Sequence, residues 1–423
     1  MKTGKNSFRM VRLPRAAALS VLSLAVFSVG CDTLLEVESP AAVDAEFLEQ
    51  PENVGLLVTS AIADFECAFG EYVAAGGLMG NELWDGQLAA RMWSYDRRDF
   101  TESGGVYATF TCADADPGVY QTLSTARFAA DNAIGVLEAN PTVPDQATLL
   151  ATANAYAGYS RLLLGEGMCS AAIDAGPELS SQQMFALAEE RFTAALNGGP
   201  SDITNMALVG RARARLNQGN TAGADADAQM VPAGFVKNAT YSAGSFRASN
   251  RVWTLNNRDE RSSVESAFHD LMWKGVPDPR VTVVDVGRPA ASDDLTPLWT
   301  QQKYQLQDSP IPIARYEEAQ LIIAEVQGGA AALGIINALH VAAGLPNFDP
   351  AVDGPVEDHI LQERQRELFL ESHHFYDKIR LNDPFLPVAG TPYQETGAKG
   401  GFYGSTTCLP LPLVEKDNNP NIP

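Results

Sequence analysis

Basic residues are scarce in this sequence. Its 423 residues include 30 Lys and Arg residues against 52 Asp and Glu residues, and the formal net charge is −22. A surface of that sign repels nucleic-acid phosphates and anionic lipid headgroups. The charge therefore excludes nucleic acid as a partner and favours neutral or cationic ones. With 423 residues, of which 45% are hydrophobic, the chain is long enough to bury a large core.

Catalytic and cofactor-binding motifs are lacking as well. The sequence contains no GxSxG, HExxH, GxGxxG or phosphate-binding loop, and no Cys-x-x-Cys pair or Cys/His cluster. His373 and His374 are adjacent, so their side chains diverge on a helix and cannot easily share a metal ion. We therefore expect no catalytic residue, no cofactor and no metal site. Paired carboxylates for glycoside hydrolysis stay open, because their separation depends on the tertiary structure.

A membrane-spanning run is also missing near the N-terminus. Residues 16–29, AAALSVLSLAVFSV, are too few for a comfortable transmembrane helix, and five basic residues precede them. This layout is typical of a secretory signal, and small residues before Cys31 are typical of bacterial lipoprotein precursors. We predict a signal peptide over residues 1–30, lipidation of Cys31 and a lipid-anchored tether over residues 31–43. The alternative is ordinary cleavage, with Cys31 free or in a disulfide.

Cysteines are few, and five occur in the whole chain. Without Cys31 four remain, and an even number in an exported protein suggests two disulfides with three possible connectivities. We favour Cys67–Cys112, which would close the loop between the first two helices. We also favour Cys169–Cys408, which would pin the C-terminal tail to the helical body. The alternative is four separate buried thiols.

Helical periodicity, by contrast, is abundant. Apolar residues at steps of three and four predict helices over 44–75, 119–139, 145–166, 181–197 and 202–217, and an Ala-rich helix that ends at Met230. Residues 76–118 lose this periodicity and gain Gly, Asp and aromatic residues. Residues 235–310 predict loops, short strands and one helix near 263–273. The succession of helix pairs resembles tetratricopeptide repeats, so the prediction is a mostly α fold.

Three further helices are predicted between Ile311 and Arg380. They contain the segments RYEEAQLIIAEVQ, IINALHVAAGLP and ERQRELFLESHHFYDKIR. The third carries charged residues between its apolar ones, namely Glu363, Arg364, Glu367 and Glu371. We expect these charges to hold helix to helix and not to contact a ligand, with Arg364 and Glu367 as a local i,i+3 pair.

These three segments resemble the C-terminal half of the SusD/RagB family of outer-membrane nutrient-binding lipoproteins. The resemblance lies in Arg315, Tyr316, Glu318, Glu325, Asn337, Glu363, Arg364, Glu367, Leu368, Glu371, Phe375, Asp377 and Arg380. Ser372 stands where the family usually has Gly, and the family usually has Arg near His340. The resemblance implies a right-handed array of helix pairs at the cell surface, with a SusC-like TonB-dependent transporter as partner.

The resemblance also sets the predicted domain organisation. A SusD-like domain covers residues 44–423, with a helical scaffold over about 44–232 and 311–380. A loop-rich part, with short strands, covers about 235–310 and 384–423 and packs on the scaffold.

Two loop-like stretches, residues 81–98 and 295–305, carry the side chains that sugars require. Aromatic rings stack on the apolar faces of sugars, and polar side chains bond their hydroxyls. The candidate ligand-binding residues are Trp84, Asp85, Trp93, Tyr95 and Arg97 in the first stretch, and Trp299 and Tyr304 in the second. We favour Trp84 and Trp299, although each tryptophan could instead pack in the core or in a loop.

The predicted function is the capture of an oligosaccharide, or a peptide, and its delivery to the transporter without covalent chemistry. One alternative is a lipid-anchored enzyme that degrades glycans. Another is a helical-repeat scaffold lipoprotein of envelope assembly.

Overall fold

Helices dominate the part of the chain that the computed structural model describes, residues 45–394 and 399–422. The helices are α1 (Ala45–Leu48), α2 (Val54–Met79), α3 (Trp93–Arg97), α4 (Val106–Thr109), α5 (Tyr120–Ala139), α6 (Gln146–Gly167), α7 (Ser181–Ala195), α8 (Ser201–Asn217), α9 (Thr221–Ala228), α10 (Arg251–Trp253), α11 (Tyr316–Gln327), α12 (Gly329–Ala342), α13 (Pro350–Asp353), α14 (Ile360–Glu367), α15 (His374–Arg380) and α16 (Leu413–Asn418). Within these residues, no helix combines the length and apolar character needed to cross a bilayer. The predicted signal peptide, Cys31 and the tether lie outside the described residues.

The scaffold helices confirm the helices predicted from apolar periodicity, except at the start of the first one. Four predicted helices, over 119–139, 145–166, 181–197 and 202–217, match α5 to α8 within two residues at each end. The first predicted helix is wrong at its start, because α2 begins at Val54 and not at residue 44. Pro51 explains the difference, since it lacks an N–H and cannot continue a helix.

Consecutive helices of the scaffold pack side by side, from α5 through α9, and α2 packs against α5. Glycines permit the close approach of α6, α7 and α8. A Cβ at Gly158 would lie 2.7 Å from the Phe192 ring, and a Cβ at Gly210 would lie closer still. Phe192 fills the space between these glycines and meets the Tyr159 ring edge-on, with centroids 4.9 Å apart. Small residues on α6 and α8 therefore admit a large ring from α7, which makes one continuous core.

Two disulfides tie distant parts of the chain to this scaffold. Cys67 of α2 is bonded to Cys112, and Cys169, just after α6, is bonded to Cys408. These are the pairs favoured from the sequence. Backbone hydrogen bonds accompany the second disulfide, because Cys169 N donates to Leu409 O at 2.8 Å and Leu409 N donates to Gly167 O at 2.9 Å.

Short antiparallel strands occur both in the loop-rich part and between the scaffold helices. They are β1 (Leu83–Asp85), β2 (Ser170–Ala171), β3 (Leu179–Ser180), β4 (Val236–Ala239), β5 (Ser262–Val264), β6 (Met272–Trp273), β7 (Val276–Pro277), β8 (Val283–Pro289), β9 (Pro297–Gln301) and β10 (Ile311–Arg315). They pair as β1–β5, β2–β3, β4–β10, β6–β7 and β8–β9.

The helix predicted near 263–273 is wrong. That segment is β5, a 3-10 turn over Ser266–Phe268, and β6. The pairing of β5 with β1 holds it extended, and Asp270 takes a left-handed backbone with φ of 47°.

The third helix of the 311–380 stretch is also interrupted. A 3-10 turn over Val356–His359 leads into α14, and α15 begins only at His374. Between α14 and α15, Leu370 and Ser372 have φ values of 54° and 75°, which a continuing helix cannot adopt.

Side chains from elsewhere hold the backbone of this break. Lys303 donates to the Phe369 carbonyl at 2.8 Å, and Tyr304 donates its hydroxyl to the Leu370 carbonyl at 3.0 Å. Leu370 N donates to the Glu82 carboxylate at 2.7 Å. Arg213 donates to the Ser372 carbonyl at 3.0 Å. Backbone groups that a helix would have bonded internally are thus satisfied by tertiary contacts.

The charges of this stretch do connect elements, as expected. Arg315 bonds the Glu367 and Glu371 carboxylates at 2.8 Å each, and Arg380 of α15 bonds the Glu325 carboxylate of α11 at 2.9 Å. The local Arg364–Glu367 pair is not formed, because Arg364 instead bonds Asp377 at 2.8 Å across the break.

Candidate functional site

A small strip of three strands brings the two predicted binding stretches together. Trp84 on β1 lies opposite Ser263 on β5. The Ser263 hydroxyl donates to the Pro297 carbonyl at 2.7 Å and accepts a hydrogen bond from Trp299 N at 2.8 Å, so it also holds β9. One serine therefore lies beside both Trp84 and Trp299, which are far apart in the sequence.

Both tryptophans of the strip are partly exposed. Trp84 alternates with the buried residues Leu83 and Asp85, so its side chain leaves the strand on the opposite face. Trp299 stacks on the His269 ring, with centroids 3.7 Å apart and planes 16° from parallel. His269 Nε2 lies 2.9 Å from the Val264 carbonyl oxygen, which can only accept, so this nitrogen carries a proton and the ring is fixed.

His269 was not predicted as a site residue. Its contact with Trp299 depends on how β9 lies against β5, and no local pattern in the sequence signals it.

A cleft of about 520 Å³ begins at the end of the same strip. Glu265, which directly follows β5, lines it together with Asn81, Phe268, Gln365, Arg366 and Lys378. Burial raises the pKa of the Glu265 carboxyl, although hydrogen bonds from Ser266 lower it in part. The cleft thus offers hydrogen-bonding side chains next to an aromatic surface.

Trp93 and Arg97 form a separate cluster on α3. The Arg97 guanidinium lies over the Trp93 ring at 5.5 Å and over the Tyr393 ring at 5.4 Å. The indole N–H of Trp93 donates to the Gln87 carbonyl at 2.8 Å, and Arg97 pairs with Asp99 at 2.8 Å. Both side chains are partly exposed and already have protein partners.

Three of the predicted ligand-binding residues are buried, contrary to the expectation that they face a ligand. They are Tyr95, Tyr304 and Asp85. Tyr95 donates its hydroxyl to the Pro117 carbonyl at 2.7 Å, and Tyr304 bonds the backbone of the helix break. We therefore leave these three residues out of the candidate ligand surface and assign them to the core.

Asp85 belongs to a buried network that holds the loop after Tyr393. Lys399 lies 3.0 Å from Asp85 and 2.9 Å from Asp293, with all three side chains fully enclosed. Burial raises the pKa of Asp85 to about 7, against the opposing charge of Lys399. Burial, and then the charge of Asp85, raise the pKa of the adjacent Asp96 to about 7. Enclosure of both acids keeps them from a polymeric substrate.

The fold is shared by several solved structures. A SusD-like carbohydrate binding protein from Bacteroides vulgatus is 16% identical with a TM-score of 0.65, and the match covers 88% of this chain and 96% of that chain. Surface glycan-binding protein A from Bacteroides thetaiotaomicron, in complex with laminarihexaose, is 14% identical with a TM-score of 0.66, covering 87% and 97%. A laminarin binding SusD-like protein is 15% identical with a TM-score of 0.60, covering 86% and 98%.

These likenesses define a helical protein with the SusD-like fold. The SusD family model matches residues 215–408, which include β4 to β10 and α11 to α15. No curated protein matches the sequence. Together, the family-model match over residues 215–408 and the shared fold support membership of the SusD family.

Proposed function

We propose that this protein captures an oligosaccharide at the cell surface through the strip that bears Trp84 and Trp299. The observation that carries the proposal is the meeting of two partly exposed tryptophans beside Ser263. Partly exposed indole rings can stack on the apolar faces of sugar rings, and Glu265 and Asn81 can bond hydroxyls nearby. The relatives named for laminarin and laminarihexaose support the same ligand class.

The ordering of Trp299 supports the proposal further. His269 holds one face of the indole and is itself fixed by the Val264 carbonyl. A ring that is already immobilised loses little conformational entropy when it stacks on a ligand. A peptide is the other ligand class that the sequence leaves open.

Delivery to a transporter is the second part of the proposal. Lipidation of Cys31 would anchor the protein in the outer membrane, facing outward, beside a SusC-like TonB-dependent transporter. The family-model match and the signal-like N-terminus support this part. Co-purification of a large barrel transporter with the lipidated protein supports it, and recovery of an envelope-assembly machine contradicts it.

Binding without covalent chemistry is the third part. A glycosidase needs two carboxyl groups that flank the scissile bond. Asp85 and Asp96, which are close together and have raised pKa values, are enclosed by the protein. Release of shorter sugars from a purified sample incubated with glycans would favour the enzyme.

The deciding experiment is a binding screen with laminarihexaose, other oligosaccharides and peptides, followed by titration of the best ligand. We expect Trp84→Ala and Trp299→Ala each to weaken binding at least about tenfold, or about 1.4 kcal/mol. Phe128→Ala is the matched control, because Phe128 is an aromatic side chain on α5, 58% exposed and outside the strip. Unchanged affinity in both tryptophan variants would refute the site.

A further inference from the structure

Two histidines and a glutamate that lie apart in the sequence meet in the interior. His340 comes from α12, His359 ends the 3-10 turn before α14, and Glu363 is on α14. Their side chains are 1%, 7% and 0% exposed, and one nitrogen or oxygen atom of each lies within 4.8 Å of the other two. The sequence showed no such cluster, because His340 is brought to the other two only by helix packing.

The hydrogen bonds of His340 fix its tautomer. Nδ1 lies 2.9 Å from the Pro346 carbonyl oxygen, which also accepts the indole N–H of Trp273 at 2.8 Å. A carbonyl cannot donate, so His340 Nδ1 carries the proton. The other nitrogen, Nε2, lies 3.1 Å from Glu363 Oε2. Histidines that bind metals usually hold their second nitrogen in this way, by an N–H bond to a backbone carbonyl.

His359 places a second imidazole nitrogen near the same carboxylate oxygen, Glu363 Oε2. Its Nε2 atom lies 3.5 Å from the same Glu363 oxygen, is buried, and has no hydrogen-bond partner among the described residues. A buried polar atom that stays unpaired costs about 1–3 kcal/mol. An ion between the three side chains would satisfy it.

The two separations from Glu363 Oε2 suit a small divalent ion. Zinc lies about 2.0–2.2 Å from imidazole nitrogen and carboxylate oxygen. At those lengths, the 3.1 and 3.5 Å separations correspond to ligand–metal–ligand angles of about 97° and about 115°, near the tetrahedral value. The second oxygen of Glu363 is bonded by Arg280, which orients the carboxylate. Two imidazoles with one carboxylate suit zinc and its neighbours better than calcium or magnesium, which prefer oxygen ligands alone.

We propose that His340, His359 and Glu363 bind one divalent transition-metal ion, with Zn²⁺ as the preferred ion. Three protein ligands leave the fourth position of a tetrahedral site to water. The ion would join α12 to α14 and fix the segment between them, residues 343–359. Its role would be structural, because Trp273 and Phe348 pack against His359 and the three ligand side chains are buried. The proposal does not depend on sugar binding.

The test measures metal in the whole folded protein, produced without a polyhistidine tag. The protein is equilibrated with Zn²⁺, freed of loosely bound ion by gel filtration, and analysed by inductively coupled plasma mass spectrometry. We expect about one zinc per chain and a rise in Tm on loading, because an ion that binds only the native state stabilises it. A zinc content no higher than that of the buffer would overturn the proposal. A proton shared by His340 and Glu363 would then explain the 3.1 Å separation of His340 Nε2 and Glu363 Oε2.

Variants separate this cluster from chance binding at other histidines. His359→Gln and His340→Gln should weaken zinc binding at least tenfold and abolish the rise in Tm, while the control His269→Gln should retain both. Equal zinc in His359→Gln and the unaltered protein would contradict the proposal. If the variants do not fold, Co²⁺ in the unaltered protein decides. Strong visible absorption, which is typical of Co²⁺ in a tetrahedral site, supports the proposal. The weak spectrum of hydrated Co²⁺ refutes it.

Discussion

Arg364 bonds Asp377 with both ends of its guanidinium group, Nε to Oδ2 at 2.8 Å and Nη2 to Oδ1 at 3.0 Å. The two residues belong to α14 and α15, so the pair bridges the break between them. The side chains are 3% and 7% exposed, so each charge has few other partners. Arg364, and then Arg380, lower the pKa of Asp377 to about 2 despite its burial.

Removal of this pair should destabilise the protein strongly. We expect Arg364→Ala to lower the free energy of unfolding by about 3 kcal/mol, because it leaves Asp377 buried with one partner fewer. Urea unfolding followed by circular dichroism measures the loss. Arg288→Ala is the matched control, since Arg288 also makes a two-point contact with a carboxylate, that of Glu260, but is half exposed. An equal loss in both variants would contradict the importance of burial.

Ser372 offers a stabilising substitution. Its φ of 75° is unfavourable for any residue with a Cβ. We expect Ser372→Gly to raise the free energy of unfolding by about 0.5–1 kcal/mol, because glycine adopts this conformation freely. Ser372→Ala is the control that removes the hydroxyl but keeps the Cβ, and it should bring no gain. A loss of stability in the glycine variant would show that the Arg213 contact to the Ser372 hydroxyl matters more than the backbone strain.

Stability should fall as the pH rises from about 5 to 8. Burial raises the pKa of Glu82 to about 8, although the hydrogen bond from Leu370 N lowers it in part. In the unfolded chain the pKa of Glu82 is near 4.5, so between these values the folded state binds more protons than the unfolded state. The stability that this group contributes is complete below pH 4.5 and is lost as the pH passes through 8.

Glu82→Gln tests that assignment. Glutamine resembles the protonated acid in shape and can still accept the bond from Leu370 N. We expect the Tm of the variant to match that of the unaltered protein at pH 5 and to exceed it at pH 8. Thermal unfolding at the two pH values measures the difference. A difference that does not change with pH would show that Glu82 is ionised in the folded protein throughout.

Cys31 should decide where the protein is found. We expect Cys31→Ser to abolish incorporation of labelled palmitate and to move the protein from the membrane fraction to the soluble one, because two or three acyl chains supply the anchor. Cys169→Ser is the matched cysteine control, and its labelling should persist. Palmitate on the Cys31→Ser variant would contradict the predicted lipidation site.

The helical scaffold could be predicted from the sequence because its signal is local. Apolar residues at steps of three and four place α5 to α8 within two residues of their ends. The break between α14 and α15 could not be predicted in this way. Leu370 and Ser372 leave the helical conformation because Lys303, Tyr304 and Glu82, all distant in sequence, supply the backbone bonds that the helix gives up.

The candidate sites, too, were partly predictable from the sequence and partly decided by distant contacts. The sequence by itself determined which aromatic residues are available, since composition singles out residues 81–98 and 295–305. Tertiary structure alone decided their roles. The pairing of β1 with β5 and the hydrogen bonds of the Ser263 hydroxyl to β9 brought Trp84 and Trp299 together, and burial excluded Tyr95 and Tyr304 from the ligand surface. It also brought His340 to His359 and Glu363. The physical reason is that helix periodicity depends on neighbours in the chain, whereas burial and side-chain encounters depend on contacts between distant segments.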